Sequence, residues 1–443
     1  MPYGYYIITY GCQMNKNDSE RMASLLESLG FEQKAGPEDA DLVILNTCSV
    51  RQTAEDRVYG LIGRLAKKKK INPRFTLAVT GCMPGRDKDG ILRKRLPQVD
   101  FFFPTARMIE LPKWIAGIFP ETVNSAEISE DYLKLAPRRK TSRQAFLTIQ
   151  TGCNYFCTYC VVPFARGLER NRLVRDILEE ARRLSEEGCL EVTLLGQTVN
   201  SFRAADPESF SKNNPYHDHF AALLWEINQI SGIERVHWTA PHPRHMTDEV
   251  IDALMLPKQV NFIHLPVQSG DNEILRKMNR RYKAEEYLEL VGKIKAKKPG
   301  IALGTDIIVG FSGETEEQFE KTVDLYKKAD FDIAFLAMYS PRTGTAAHTA
   351  FADTVPREEK RRRWRVLQDL MEDIVLRKNQ EYAGKIVEVL VEKAEARGDK
   401  IVASGNSREM KLVNFPGTPD DAGKLINVKI NKAREWVLEG EKA

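Results

Sequence analysis

Cys153, Cys157 and Cys160 stand in one short run, Cys153-Asn154-Tyr155-Phe156-Cys157-Thr158-Tyr159-Cys160. A strand-like stretch, 145–150, precedes it, and a helix-like stretch begins near residue 173. No charged-then-apolar leader is visible. Seven cysteines, an odd number, are not spaced as a disulfide framework. Thiols this close in such a chain are more often metal ligands than disulfide partners. Zinc sites favour paired CxxC units or Cys/His sets. The CxxxCxxC spacing supplies three ligands, whereas a 4Fe–4S cube takes four. One iron is left open, able to bind a small molecule and act on it.

A second set is dispersed. Cys12, Cys48 and Cys82 each follow a short apolar stretch, at 5–9, 41–45 and 76–79. Helix-like stretches lie at 17–29, with Asn17 as its cap, at 53–69 and at 108–118, and a further strand is expected at 99–103. Short apolar strands alternating with helices imply a parallel, doubly wound sheet. Such sheets bind ligands at the carboxyl ends of their strands, so three distant cysteines are expected to converge there. Each alone reads as a small buried hydrophobe. The three together read as a second metal-cluster site with one open position. Cys189 has no partner spacing and reads as packing.

These sites need a scaffold, and 443 residues allow several domains. Residues 1–120 form the first, and 121–143, charged and poor in apolar residues, a linker. From 144 to 380 the strand–helix alternation resumes, with strands expected at 145–150, 191–196, 235–239, 262–267, 302–309 and 333–339. Six units fall short of the eight of a closed TIM barrel, so an incompletely closed barrel is expected. Its strand ends carry Gln197, Asn200, His242, Gln268, Ser269 and Asp306, on the face that is catalytic in barrels. The turn Gly310-Phe311-Ser312-Gly313-Glu314 is equally a tight strand-to-helix connection and a weak nucleoside-loop signal. A long helix at 356–382 leads to 381–443, whose short strands suggest a small antiparallel barrel of a kind that binds oligonucleotides.

The net charge of +4 demonstrates no polyanionic partner. Basic runs at 67–70, 138–140 and 360–363 each read as a solvated face and together hint at nucleic acid. No uninterrupted apolar stretch is long enough to span a membrane, so a soluble, cytoplasmic chain is expected.

The loop 153–160 resembles that of radical S-adenosylmethionine (SAM) enzymes. The whole chain resembles the radical-SAM methylthiotransferases, and within them the MiaB-type tRNA enzymes. The match is carried by 152–167 with its Val161-Val162-Pro163-Phe164-Ala165-Arg166-Gly167, by 194–201, by His264-Leu265-Pro266-Val267-Gln268-Ser269-Gly270, by 305–314 and by Val413-Asn414-Phe415-Pro416-Gly417. Thr198 and Ser312 stand where the family usually has Asn and Pro.

The resemblance implies an α/β multidomain fold: a flavodoxin-like doubly wound amino-terminal domain, a partial (β/α)6 radical-SAM barrel and a small carboxyl-terminal β-barrel of the TRAM type. It implies one 4Fe–4S cluster on Cys153, Cys157 and Cys160 that binds SAM. It implies an auxiliary 4Fe–4S cluster on Cys12, Cys48 and Cys82. Tyr159, Gln197, Asn200, Gln268, Asp306, Gly310 and Glu314 are expected at SAM. Arg361, Arg362, Arg363, Asn414 and Phe415 are expected at RNA. The implied reaction is methylthiolation of C2 of N6-isopentenyladenosine at position 37, in the anticodon stem-loop of tRNA. A reductant such as flavodoxin or ferredoxin, a sulfur donor and a monomeric state are expected. The neighbouring alternatives are threonylcarbamoyladenosine in tRNA or a ribosomal-protein aspartate as substrate. An alternative of another class is a noncatalytic RNA-binding iron–sulfur protein.

Overall fold

The computed structural model describes residues 2–49, 52–120, 131–139 and 143–443. In the first domain β1 (Gly4–Tyr10), β2 (Glu32–Gln33), β3 (Leu42–Thr47), β4 (Thr76–Gly81) and β5 (Phe101–Phe102) form one sheet in the order β2-β1-β3-β4-β5. Every pairing is parallel. This is the flavodoxin-like order, with its switch point between β1 and β3. Every residue of β3 and β4 is buried because both faces are covered. Leu42, Ile44 and Ala78 pack beneath Met22, Leu25 and Leu26 of α1 (Gln13–Ser28). Val43, Leu45, Leu77 and Val79 pack beneath Val58, Ile62 and Leu65 of α2 (Gln52–Ile71). The domain continues through α3 (Cys82–Arg86), α4 (Ile91–Lys94) and α5 (Leu111–Ala116).

Three expectations change here. Asn17 does not cap α1; the helix starts a turn earlier, with Cys12 at its N-cap. Asn17 is buried because α1 lies along the barrel's first strand, where its Oδ1 accepts from the Thr148 hydroxyl at 2.9 Å. The strand expected at 99–103 has only two paired residues. The helix expected at 108–118 divides into a 3-10 turn, Thr105–Glu110, and α5, because Pro112 cannot donate within the first turn. Within the expected linker, 121–130 and 140–142 lie outside the described residues. Tyr132 and Leu133 belong to the first domain's core.

The second domain carries β6 (Gln144–Thr148), a two-stranded clip of β7 (Gln150–Thr151) with β8 (Arg170–Asn171), then β9 (Glu191–Leu195), β10 (Arg235–Trp238), β11 (Phe262–His264), β12 (Ala302–Val309) and β13 (Ile333–Met338). Two parallel three-stranded sheets, β6-β9-β10 and β11-β12-β13, meet through a bridge between Val236 and Gln259. The six strands therefore make an open barrel. Around it run α6 (Val162–Arg166), α7 (Val174–Glu186), α8 (His219–Gln229), α9 (Asp248–Ala253), α10 (Asn272–Lys277), α11 (Ala284–Lys297), α12 (Glu316–Ala329) and α13 (Ala346–Ala350). Leu147, Val192, Leu194, Val236, Leu303 and Ile307 share one core with residues of α7 to α12. Alternate strand residues, including Thr193, His237, His264 and Asp306, share the opposite, lumen face by register.

α14 (Arg357–Gln380) buries Leu367, Met371 and Val375 and leads to the last domain. There β14 (Ile386–Arg397), β15 (Lys400–Ser407), β16 (Leu412–Pro416), β17 (Leu425–Ala433) and β18 (Leu438–Lys442) close a barrel in the order β14-β15-β16-β18-β17. It is not wholly antiparallel as expected, since β16 and β18 run parallel. This barrel sits against the amino ends of the large-barrel strands. Fully buried Arg235, the first residue of β10, pairs with Glu388 at 2.9 Å and donates to the Asn406 carbonyl at 2.9 Å. Lys411 reaches Asp332 at 3.1 Å. Arg235→Ala leaves Glu191 and Glu388 without this cation. It is expected to lower unfolding free energy by about 3 kcal/mol, read as a lower urea midpoint.

Candidate active site

The loop bearing Cys153, Cys157 and Cys160 springs from the carboxyl end of β6 and is pinched at its base by the β7–β8 clip. Buried Gln150 holds the pinch: its amide donates to Asn171 at 3.1 Å and Ser201 at 3.0 Å, and its carbonyl accepts from the Thr198 N–H at 3.2 Å. At Gly152 (φ +74°) a Cβ would stand 2.0 Å from the Leu168 carbonyl oxygen, so only glycine lets the chain close there. The loop's outer half is fixed by the turn after α10. Asn279 donates to the Tyr155 and Phe156 carbonyls at 3.0 and 3.1 Å, and the Thr158 N–H donates to the Met278 carbonyl at 3.1 Å.

Each sulfur has a donor or hydroxyl close by. The Tyr155 N–H lies 3.5 Å from Cys153 Sγ and the Val162 N–H 3.4 Å from Cys160 Sγ. Arg280 Nη1 lies 3.5 Å from Cys157 Sγ, and Thr198 Oγ1 lies 3.5 Å from Cys153 Sγ. Burial, and then the charge of Cys157, push the Cys160 thiol up to about 12, and burial also raises Cys153. Burial works against the thiolates of Cys153 and Cys160, which calls for a compensating cation beyond Arg280. Iron supplies one and displaces the protons, and N–H···S contacts tune an iron–sulfur centre once formed. The donor set thus fits a cluster with three protein ligands. The Tyr155 ring stacks on His242 with centroids 3.9 Å apart. Burial, and then Arg280, push His242 down to about 2, so it is a neutral wall.

The other cysteines end three adjacent strands at one level. Tyr10 pairs with Thr47, and Thr47 with Gly81. Cys48 follows Thr47 and Cys82 follows Gly81, while Cys12 follows β1 by two residues and caps α1. The Cys48 N–H donates to the Tyr10 carbonyl at 2.6 Å. Cys12 Sγ donates to Asn15 Oδ1 at 3.3 Å, and Asn15 in turn bonds Asn46 at 2.9 Å. Gly81 (φ +99°) is required because a Cβ would meet the Thr47 carbonyl at 2.3 Å. Cys12 stands at the amino-terminal end of a sixteen-residue helix. Burial raises the Cys82 thiol, opposed by the positive charge of the Arg166 guanidinium.

The two sets are joined by α3, which begins at Cys82, and α6, which begins two residues after Cys160. Their backbones approach so closely that a Cβ on Gly85 would lie 2.2 Å from the Ala165 carbonyl oxygen. Arg166, at the end of α6, pairs with Asp18 of α1 at 2.7 Å with both side chains buried. Cys82 lies within electrostatic range of both Cys12 and Cys160. At the other side Arg86 grips Glu55 at 2.9 Å and donates to the Thr343 carbonyl at 3.2 Å, beyond β13.

The remaining expected residues divide. Gln268 holds an unusual φ of +72°, and its backbone bridges to Asp306 and Ile308. Asp306 is part-exposed and pairs with His264 at 3.2 Å. Gln197 is half-buried, and Tyr159 packs against Phe311, Tyr339 and Ala347. Asn200, in contrast, is spent on a reciprocal pair with the His242 backbone, 2.8 and 3.1 Å. Glu314 is buried, accepts from the Gly310 N–H at 2.6 Å and pairs with Arg363 at 2.8 Å, anchoring α14 to the turn. The Lys360 chain covers Gly310. The expectation for Arg363 is corrected, since it is buried between Glu314 and Glu359 and so closed to phosphate. Arg362 is exposed but holds Glu316 and Glu359, and Arg361 is exposed. Phe415 is corrected too, since it lies in the small barrel's core, and Asn414 accepts from Ser404 at 2.7 Å. Sequence reasoning missed Arg166, Asp18, Gln150 and Arg280. Arg166 and Gln150 adjoin the cysteine loop, but nothing in their spacing revealed their partners.

An open six-stranded barrel with a CxxxCxxC loop after its first strand defines a radical-SAM enzyme, a class that takes SAM and a 4Fe–4S cluster. Comparison with known proteins agrees. Residues 147–326 match the Radical SAM superfamily, 4–104 the uncharacterized protein family UPF0004, and 380–443 the TRAM domain. A tRNA-2-methylthio-N(6)-dimethylallyladenosine synthase of Carboxydothermus hydrogenoformans is 45% identical, over 98% of this chain and 98% of that protein. One of Moorella thermoacetica is 43% identical, over 99% and 98%. The radical S-adenosylmethionine methyltransferase TsrM of Kitasatospora setae, solved with cobalamin and a [4Fe-4S] cluster, shares the fold at TM-score 0.54. It is 14% identical and covers 79% of this chain and 74% of its own. The chain belongs to the family of tRNA-2-methylthio-N(6)-dimethylallyladenosine synthases. Among the described residues no helix is long and apolar enough to cross a membrane.

Proposed function

We propose that this chain adds a methylthio group to C2 of N6-dimethylallyladenosine at position 37, in the anticodon stem-loop of tRNA. The carrying observation is the pair of three-cysteine sites joined through α3 and α6 at one barrel mouth. Cys153, Cys157 and Cys160 would hold the cluster that binds SAM, and Cys12, Cys48 and Cys82 a second 4Fe–4S cluster. When bound, these groups supply one-electron cleavage of SAM and the sulfur to be transferred, which acid–base side chains cannot provide at an unactivated C–H bond.

The chain's own residues do the rest. The loop clip and Arg280 fix the first cysteine set, and the β1, β3 and β4 ends fix the second. The walls of the barrel exclude water from a reactive centre. A base in a single-stranded loop leaves its stack at low cost to enter. Arg361 and the TRAM barrel hold backbone phosphates, which positions the RNA without reading its sequence. A one-electron donor of the flavodoxin or ferredoxin class and a sulfur donor act with a monomeric, cytoplasmic enzyme.

Gln197, Gln268, Asp306 and Tyr159 line the SAM side. Replacing Gln268 and Asp306 by Ala is expected to weaken SAM binding about tenfold or more, measured by equilibrium dialysis on the reconstituted protein. Unchanged affinity removes both from the site. The reaction itself is tested with anaerobically reconstituted, reduced protein, SAM and tRNA carrying N6-dimethylallyladenosine. Mass analysis of the nucleosides should show the 2-methylthio product. Absence of SAM cleavage would overturn the enzyme reading. Cleavage without product on this tRNA, but with product on threonylcarbamoyl tRNA, would move the substrate.

A further inference from the structure

Arg166 is a guanidinium placed between the two cysteine sets. It closes α6, six residues after Cys160, and crosses into the first domain. There Nη2 pairs with Asp18 at 2.7 Å, and the group's charge is felt at the Cys82 thiol. Its side chain is only 3% exposed and that of Asp18 only 2%. Yet Nη1 is buried with no hydrogen-bond partner.

An unsatisfied donor on a buried cation is costly, more so than on a neutral group. Such a group calls for a partner absent from the polypeptide alone. Guanidinium is planar and presents its donors as a rigid fork. With one arm fixed by Asp18 and the side chain almost wholly buried, the free arm has little freedom to turn away. Cys12 also lies within electrostatic range of Arg166. A group bound by three thiolates carries net negative charge, and its sulfurs accept charge-assisted hydrogen bonds.

We propose that Arg166 is a positioning residue for the second cluster, donating through its free arm to that cluster's sulfurs while Asp18 fixes its direction. This rests on the reading of Cys12, Cys48 and Cys82 as cluster ligands. Arg166 then has two effects. It seats the second cluster relative to α6, and so relative to the first. It also stabilises added electron density on the second cluster, since hydrogen bonds to sulfur set the potential of such centres. Asp18 cancels the arginine's charge at longer range, so the effect is local to the sulfurs that the free arm reaches.

The test uses the full chain with Cys153, Cys157 and Cys160 replaced by Ala, so that iron binds only at the second site. Iron and sulfide content, thermal unfolding and an EPR-monitored redox titration are compared for Arg166, Arg166→Lys and Arg166→Met. The expected result is iron retained in all three, with a potential that becomes more negative from Arg to Lys to Met and an altered reduced spectrum. With the native cysteines restored, the ratio of methylthio product to 5′-deoxyadenosine should fall about tenfold or more in Arg166→Met. An unchanged potential and spectrum in Arg166→Met overturns the inference and leaves Arg166 as an interdomain pin. Should Arg166→Met not fold, an unchanged potential in Arg166→Lys overturns it equally. No iron in the parent with Arg166 intact overturns the second-cluster reading, and the inference falls with it.

Discussion

Replacing Cys12, Cys48 and Cys82 together by Ala should lower iron from about eight to about four atoms per chain, abolish methylthiolation and leave SAM cleavage largely in place. The reason is geometric. These cysteines follow β1, β3 and β4 of the first domain, whereas the SAM-side loop is built by the β7–β8 clip and the turn after α10. The first loop's supports therefore survive loss of the second site. The complementary change, Cys153, Cys157 and Cys160 to Ala, should remove both 5′-deoxyadenosine and product while keeping the second half of the iron. Iron analysis with product quantitation separates the two. Full iron retention in the first variant would contradict a cluster on those residues.

Gly85→Val should lower methylthio product about 100-fold, the scale expected of a displacement near 1 Å at a reacting centre. A Cβ at Gly85 would meet the Ala165 carbonyl oxygen at 2.2 Å. That contact is backbone, so no side-chain rotation relieves it, and α3 must move from α6. Each cluster's own ligands remain, so iron content and 5′-deoxyadenosine should persist. The prediction is thus a loss of coupling between two intact sites. Gly63→Ala is the control, since nothing lies within 4 Å of a Cβ there. It should leave product unchanged. Equal loss of SAM cleavage in Gly85→Val would show that α3 serves the first site as well.

Much of this was legible in the sequence because its signals are local. CxxxCxxC is eight consecutive residues, and a cysteine after each apolar strand marks a sheet edge. The strand–helix alternation gave the six units and their openness. What was not legible is contact between distant residues. Asp18 and Arg166 are far apart in sequence and meet only because α1 lies along β6.

Two errors had readable signals. Phe415 shares its face with Val413 by strand alternation, and both are core residues. Arg363 lies four residues before Leu367 on a stripe that continues to Met371 and Val375, all buried. The basic composition of 360–363 outweighed that periodicity, although Glu359 and Glu314 were waiting to neutralise Arg363. The Glu314 carboxylate caps the turn at Gly310, a bond within the motif that its position at the strand end did not reveal.

The central claim is that both cysteine sites serve one adenine. The most direct measurement uses tRNA whose N6-dimethylallyladenosine carries deuterium at C2. With reduced, fully reconstituted protein, deuterium should appear in the 5′-deoxyadenosine released, in step with the 2-methylthio nucleoside. Methylthio product formed without deuterium in 5′-deoxyadenosine, or 5′-deoxyadenosine formed in the same amount without the RNA's deuterium, would contradict the account.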